Sequence, residues 1–210
     1  ERDSIFLNKP INKKVSASSL NKEILIQLID LFKNIVDQCV ELNINKLFAL
    51  TNGLLQKNLN VQNDDFDINW YKDSFILKMR NVLEDSPIVK TMDNQMTLLK
   101  DAYFPIYEEE SDDKQRRMYH NLVSHRYPNK TVTFEESENW DHRTWDNLHL
   151  IKIEDLIKDE EQTSQEKEND HQSLNETEWE YLNLLLEYTK QYELNLLIDH
   201  SIIPDMNEKR

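Results

Sequence analysis

The chain of 210 residues contains one glycine, Gly53. Average usage near 7% would supply about fifteen. Loops that cradle nucleotide phosphates use glycine so that the backbone can approach the anion with positive φ. A Walker A loop, a Rossmann fingerprint and the glycine-rich lid of an ATPase are all missing, which excludes nucleotide binding by any standard loop. Cysteine is as scarce: Cys39 alone permits no disulfide within the chain, which fits a reducing, cytoplasmic compartment. No apolar run approaches the roughly 20 residues of a membrane span. The N-terminus has no signal-peptide apolar region, and it begins with Glu1 rather than Met, so a piece of a longer protein is expected. Bases are outnumbered, 25 Lys and Arg against 40 Asp and Glu, for a net charge of −15. The one dense basic run, Lys114, Arg116 and Arg117, follows directly on acids. A surface of that sign repels phosphate backbones, so neither nucleic acid nor an anionic membrane is an expected partner.

What is present is dominated by Leu20 to Leu42, the longest segment with an unbroken helical period. Ile24, Leu28, Leu31, Ile35 and Cys39 recur at three- and four-residue steps. Leu25, Ile29, Phe32, Val36 and Val40 make a second, parallel row. Two rows make an apolar face wider than a coiled-coil seam, so a core helix with several elements packed on it is expected. Ser18 or Ser19 is its N-cap candidate, and Cys39 on its apolar face reads as a buried free thiol.

The spacing of Leu47, Leu50, Leu54 and Leu55 extends helical character beyond residue 42, with Gly53 as a break. A helix is predicted over 69–83, with Trp70, Phe75, Ile76, Met79, Val82 and Leu83 as its stripe and Pro87 beyond its end. Ile88, Val89 and Thr91, a Met-Asp-Asn turn, then Met96, Leu98 and Leu99 predict a small hairpin. The acid-rich run 108–117 reads as a solvated, mobile loop, followed by a short helix that stops near Tyr127-Pro128. Trp140 and Trp145 fall in a loop or short helix, and Leu150 to Ile153 reads as a strand or turn leading into a helix through Leu156 and Ile157. Residues 160–173 contain no apolar residue and read as a mobile loop. A final helix over 176–192 is expected to bury Trp179, Leu182, Leu185, Leu186 and Tyr188. The fold class is α+β, predominantly α-helical: a helical bundle with a small hairpin or sheet. Two regions are expected, a helical one over 1–85 and an α+β one over 86–210.

Few residues are arranged for chemistry. The six histidines (His120, His125, His142, His149, His171 and His200) show no metal-ligand spacing and read as surface or packing residues. Arg143 and His149 satisfy an R-x5-H pattern, RTWDNLH. HEPN ribonucleases carry such a pattern on a helix, where the two side chains act on a phosphodiester. An RNA-cleaving domain using Arg143 and His149 is therefore the alternative function, set against an acidic surround without a basic track for RNA. Paired carboxylates such as Asp64-Asp65 and Glu135-Glu136 read as solvated faces, and no metal site is expected. Tyr103, Phe104, Tyr107, Tyr127, Trp140 and Trp145 either form a peptide-binding surface or pack a small sheet onto the helices. A plain protein-interaction module is the third reading.

Several stretches together resemble a family. Glu1-Arg2-Asp3 running into the long helix resembles the middle segment of the ninety-kilodalton heat-shock chaperones, where a serine-arginine-glutamate motif precedes a similar helix. SPIVKTMDNQMTLLKDAYFPIY (86–107), LVSHRYPNK (122–130), the two tryptophans and LNLLIDHSIIPD (194–205) are similar to large bacterial proteins with a sacsin-like or chaperone-like ATP-binding domain. The resemblance implies a non-catalytic middle or scaffold region, relaying ATP-driven closure and offering a surface to protein clients or partner subunits. No cofactor is implied in this chain. ATP and Mg²⁺ would belong to a preceding GHKL-type ATPase domain of the parent, and that domain would be the chain's first partner. Arg2 matches the arginine that reaches the ATP γ-phosphate across the domain boundary, a role for a guanidinium near developing phosphate charge. Glu1 and Asp3 differ from that motif's serine and glutamate.

Overall fold

The computed structural model describes residues 17–51, 67–108, 110–140, 145, 147–159 and 175–199. The predicted loop over 160–173 lies outside them. The fold is predominantly helical α+β. Its described residues divide into two compact units that are not sequential. Unit 1 holds the residues up to Lys90 together with Met96–Asp101 and Asn139–Asn147. Unit 2 holds Thr91–Gln95, Ala102–Glu138 and the residues from Leu148 onward. The chain first crosses between the units after Lys90. The two later returns leave no mark in composition, because they are made by tertiary contact.

Unit 1 opens with α1 (Ala17–Glu41), close to the predicted 20–42. The helix stops earlier than the apolar spacing beyond it implies, and the stop is Asn43 rather than Gly53. Asn43 takes a left-handed φ of 51°. Its amide donates to Val40 O at 3.0 Å and the Ile44 amide to Cys39 O at 2.9 Å, the paired closing bonds of a Schellman motif. Asparagine tolerates this conformation better than other residues with a Cβ. Lys46 repeats the left-handed turn at 67°, and a 3₁₀ helix, Leu47–Thr51, follows.

The next helical run comprises α2 (Ile68–Trp70), a π-helical stretch (Tyr71–Ile76) and α3 (Leu77–Glu84). Asp67 caps it by accepting from the Trp70 amide at 3.2 Å. α1 packs on α3 and on the π-helical stretch. The hairpin forms as β1 (Val89–Lys90) and β2 (Met96–Thr97), antiparallel, with Val89 opposite Thr97 and Lys90 opposite Met96. Its turn is tied by Thr91, which donates its amide to Gln95 O and its hydroxyl to Asp93, while Asn94 supplies the left-handed φ of 65°. The 3₁₀ turn Leu99–Asp101 buries Leu99.

In unit 2 the YFP segment forms β3 (Tyr103–Pro105), which runs parallel to β4 (His149–Ile151). Parallel neighbours need a long crossover; here it contains α4 (Asp113–Arg126) and α5 (Phe134–Asn139). The expected loop over 108–117 is corrected in its second half. Asp112 accepts from the Gln115 amide at 2.7 Å and starts α4 inside the acid run. An acid there also favours the positive end of the helix dipole. A helix follows β4 over residues 153–159, α6. Asn175 and Glu178 form a capping box that starts α7 (Glu176–Tyr192), and α8 (Leu194–Asp199) follows.

The core of unit 2 gathers Tyr119, Leu122 and Val123 of α4 with Ile151, Leu156, Ile157 and the α7 residues Tyr181, Leu182, Leu185 and Tyr188. Trp179 is corrected: it is 44% exposed. It lies more than 100° around α7 from Leu185 at about 100° per residue, beyond the stripe that meets α4.

His120 is a packing histidine, as its spacing implies. It is buried on α4, and its Nε2–H donates to Val132 O at 2.8 Å. Burial holds its pKa below the ordinary imidazole value, despite the favourable bond to Val132 O. The unfolded chain then takes up a proton at higher pH than the folded one. The His120 contribution to stability is complete above about pH 6.5 and is lost as pH falls through the lower folded value. Proton NMR of the His120 ring should show titration below that of an exposed histidine; a midpoint at or above about 6.5 defeats the expectation.

Candidate functional site

The apolar face of α1 separates into its two rows. Ile29 and Val36 are buried, and Leu25, Phe32 and Val40 are half-buried. This second row is the one that faces the rest of unit 1. The first row remains in water: Ile24 is 46% exposed, Leu28 42%, Leu31 53% and Ile35 43%, with Leu20 and Leu42 more exposed still. The expectation of a core helix therefore holds for one row and is corrected for the other. Cys39, at the edge between them, is half-buried rather than fully enclosed. Lys22 anchors the inner side of the helix, its ammonium 2.8 Å from Asp67 and 4.8 Å from the Trp70 ring centroid.

Unit 2 contains a cleft of about 250 Å³ between α4, the segment after β3 and the start of α6. Tyr107, Tyr119 and Tyr188 wall it, and Glu108, Glu154 and Glu193 stand around it. Several of its polar groups are engaged. Tyr119 Oη donates to Ile151 O at 3.0 Å, Tyr107 Oη lies 2.8 Å from Ser137 Oγ, and Arg116 pairs with Glu138 at 3.0 Å. Arg116 Nε, which is buried without a hydrogen-bond partner among the described residues, leaves one donor open. Burial raises the phenol pKa of both Tyr107 and Tyr119, so they remain neutral walls. Burial, with Glu108 and Glu154 adding like charge, holds the Glu193 carboxyl above the usual range. The cleft offers a ligand aromatic surface and mixed charge, with Arg116 and Lys152 beside the three carboxylates. Among the described residues no group of three or more His, Cys, Asp or Glu is placed to hold a metal ion.

Of the residues singled out for catalysis, Arg2 and Arg143 lie outside the described residues. His149 is described, and it lies on β4 rather than on a helix, the setting that the R-x5-H pattern has in HEPN ribonucleases. Its exposed ring stacks on Tyr103 with centroids 4.2 Å apart, and Tyr127 meets Tyr103 edge-on at 4.9 Å. The aromatic set is divided between the units. In unit 2 Phe104 is buried, while Tyr103, Tyr107 and Tyr127 are half-buried. In unit 1 Trp140 and Trp145 are buried against each other at 5.5 Å.

Two features have no clear sequence signal. Arg80 is only 5% exposed, its guanidinium 4.2 Å from the Trp145 ring centroid. The cleft tyrosines, spread from 107 to 188, share no motif. The α1 rows did have a signal, because two apolar rows on one helix must each find a neighbour or remain in water. Among the described residues no helix is long and apolar enough to cross a membrane. Comparison with known proteins finds no matching family model, no similar curated protein and no similar solved structure.

Proposed function

We propose that this chain is a non-catalytic scaffold that binds another protein through the outer row of α1. The observation that supports it is the exposure of Ile24, Leu28, Leu31 and Ile35 along one line of a helix of 25 residues. Contiguous apolar surface on a folded protein marks a contact site more often than chance. Each such side chain gains about 1.5–3 kcal/mol when fully withdrawn from water, and these are already partly covered, so each has a fraction of that left to gain. In the wider reading, supported by the resemblance, the chain sits beside an ATPase domain in a cytoplasmic protein and relays its closure. Unchanged ATP turnover by an Arg2→Ala variant of the longer protein would remove that wider role from Arg2.

The docking role is tested by separating it from folding. Leu28→Ser with Leu31→Ser should change unfolding free energy by no more than about 0.5 kcal/mol per site. Ile29→Ala, one position away on the inner row, should cost about 2–4 kcal/mol. A photo-crosslinking residue at Leu28 or Leu31, introduced in the source cells, should form adducts with a protein that then binds the purified chain. Adduct yields no higher than from the same residue at Lys33 overturn the reading.

A further inference from the structure

The outer row of α1 also carries information about what it takes. Ile24, Leu28, Leu31 and Ile35 follow a 4-3-4 spacing, and Leu42 continues it one heptad beyond Ile35. That is the seam against which another helix packs side by side. One edge of the seam is already occupied, because Leu25, Ile29, Phe32 and Val36 turn into unit 1. The open edge is polar, and its charges have one sign. Exposed Gln27 and Asn34 come first, and beyond them lie exposed Glu23, Asp30, Asp37 and Glu41. Glu23, Asp30 and Asp37 stand seven residues apart, so they form a line parallel to the seam. Among the described residues no cation pairs with any of these four acids. On α1 the bases lie elsewhere. Lys22 is held on the inner side by Asp67, and Lys33 projects about 180° from Ile24 at about 100° per residue, where it lines a groove with Asp37 and Lys78.

We infer that the outer row of α1 docks an amphipathic helix of a partner protein, with apolar residues at heptad spacing and Lys or Arg along the flank that meets Glu23, Asp30 and Glu41. The inference rests on the proposed docking role of α1 and adds the chemistry of the occupant. A second copy of the chain is the weaker candidate, since each copy brings a net charge of −15 and like-charged surfaces oppose association. A basic flank instead matches a line of acids that no cation pairs with among the described residues. Long Lys and Arg stems can cross Gln27 and Asn34 to reach that line while their methylenes cover apolar surface.

The test uses the purified chain and three labelled helical peptides that share one heptad apolar set. Their flanks carry Lys and Arg, Gln, or Glu, and a fourth peptide keeps the basic composition with scrambled apolar spacing. Fluorescence anisotropy should show the basic peptide binding at least about tenfold more tightly than the Gln peptide, with the Glu peptide weakest. The preference should shrink between about 50 and 500 mM salt. Leu28→Ser with Leu31→Ser should abolish binding, and Glu23→Lys with Asp30→Lys should invert the order of the Lys/Arg and Glu peptides. Equal binding of the three flanks, equal binding of the scrambled peptide, or binding that survives the double serine variant overturns the inference. So does sedimentation showing a dimer that the double serine variant dissolves. Should no peptide bind while Leu28 and Leu31 still crosslink to a partner in cells, the docking role stands and the basic helix falls.

Discussion

Trp145→Ala is expected to lower the unfolding free energy of unit 1 by about 3–5 kcal/mol. Trp145 is 2% exposed, and its ring does two things at once. It packs edge-on against Trp140 at 5.5 Å, and it covers the guanidinium of Arg80 at 4.2 Å. Truncation leaves a cavity the size of an indole. It also removes the cation–π contact from a buried charge whose ion pair with Glu84 is long, at 3.8 Å. Burial already lowers the Arg80 pKa, with Glu84 opposing, so the site is one where a charge is held at a cost. The double variant Trp145→Ala, Arg80→Leu should therefore recover part of the loss, because it removes a charge that burial already disfavours. Urea denaturation followed by far-UV circular dichroism measures both. A single-variant loss under about 1 kcal/mol would show that the indole is not packed as described.

Leu185→Ala should have an effect of similar size in unit 2, about 2–5 kcal/mol. Leu185 is fully buried at the junction of α7 with α4, in the cluster that also holds Leu122, Val123 and Leu182. Helix positions on both sides of that junction are set by well-packed neighbours, so relaxation into the space left by three carbons is limited. Glu187→Ala, two residues along and exposed on the same helix, should stay within about 0.5 kcal/mol of the parent. Equal losses at 185 and 187 in the same urea titration would mean that α7 does not present this face to the core.

Both substitutions act where local pattern and tertiary contact agree, and they mark how far the pattern reaches. The helices over 17–41 and 176–192 could be anticipated because each carries its own apolar period over many turns, and the second its own capping box. The hairpin at 89–97 was legible from its flanking apolar residues and its polar turn. Asp112 and Gln115 form a cap signal that would have placed the start of α4 inside the acid run, had charge density not favoured a loop. The parallel pairing of Tyr103–Pro105 with His149–Ile151 was beyond reach, since three-residue strands more than forty positions apart carry no mutual signal. His149 illustrates the consequence for function: an R-x5-H spacing reads the same on a strand as on a helix, and only the fold assigns His149 to β4.

On its own, the order of amino acids determined the helical class, the scarcity of glycine and the existence of two apolar rows on the first helix. These are properties of spacing and residue type, and they act over a few turns of chain. The tertiary structure decided which row α3 and the π-helical stretch would cover and which would stay in water. It also set a charged guanidinium beneath an indole sixty-five positions away. Burial is a relation between segments, and its choice among equivalent faces depends on which neighbour arrives, so it is written in the packing and not in the period.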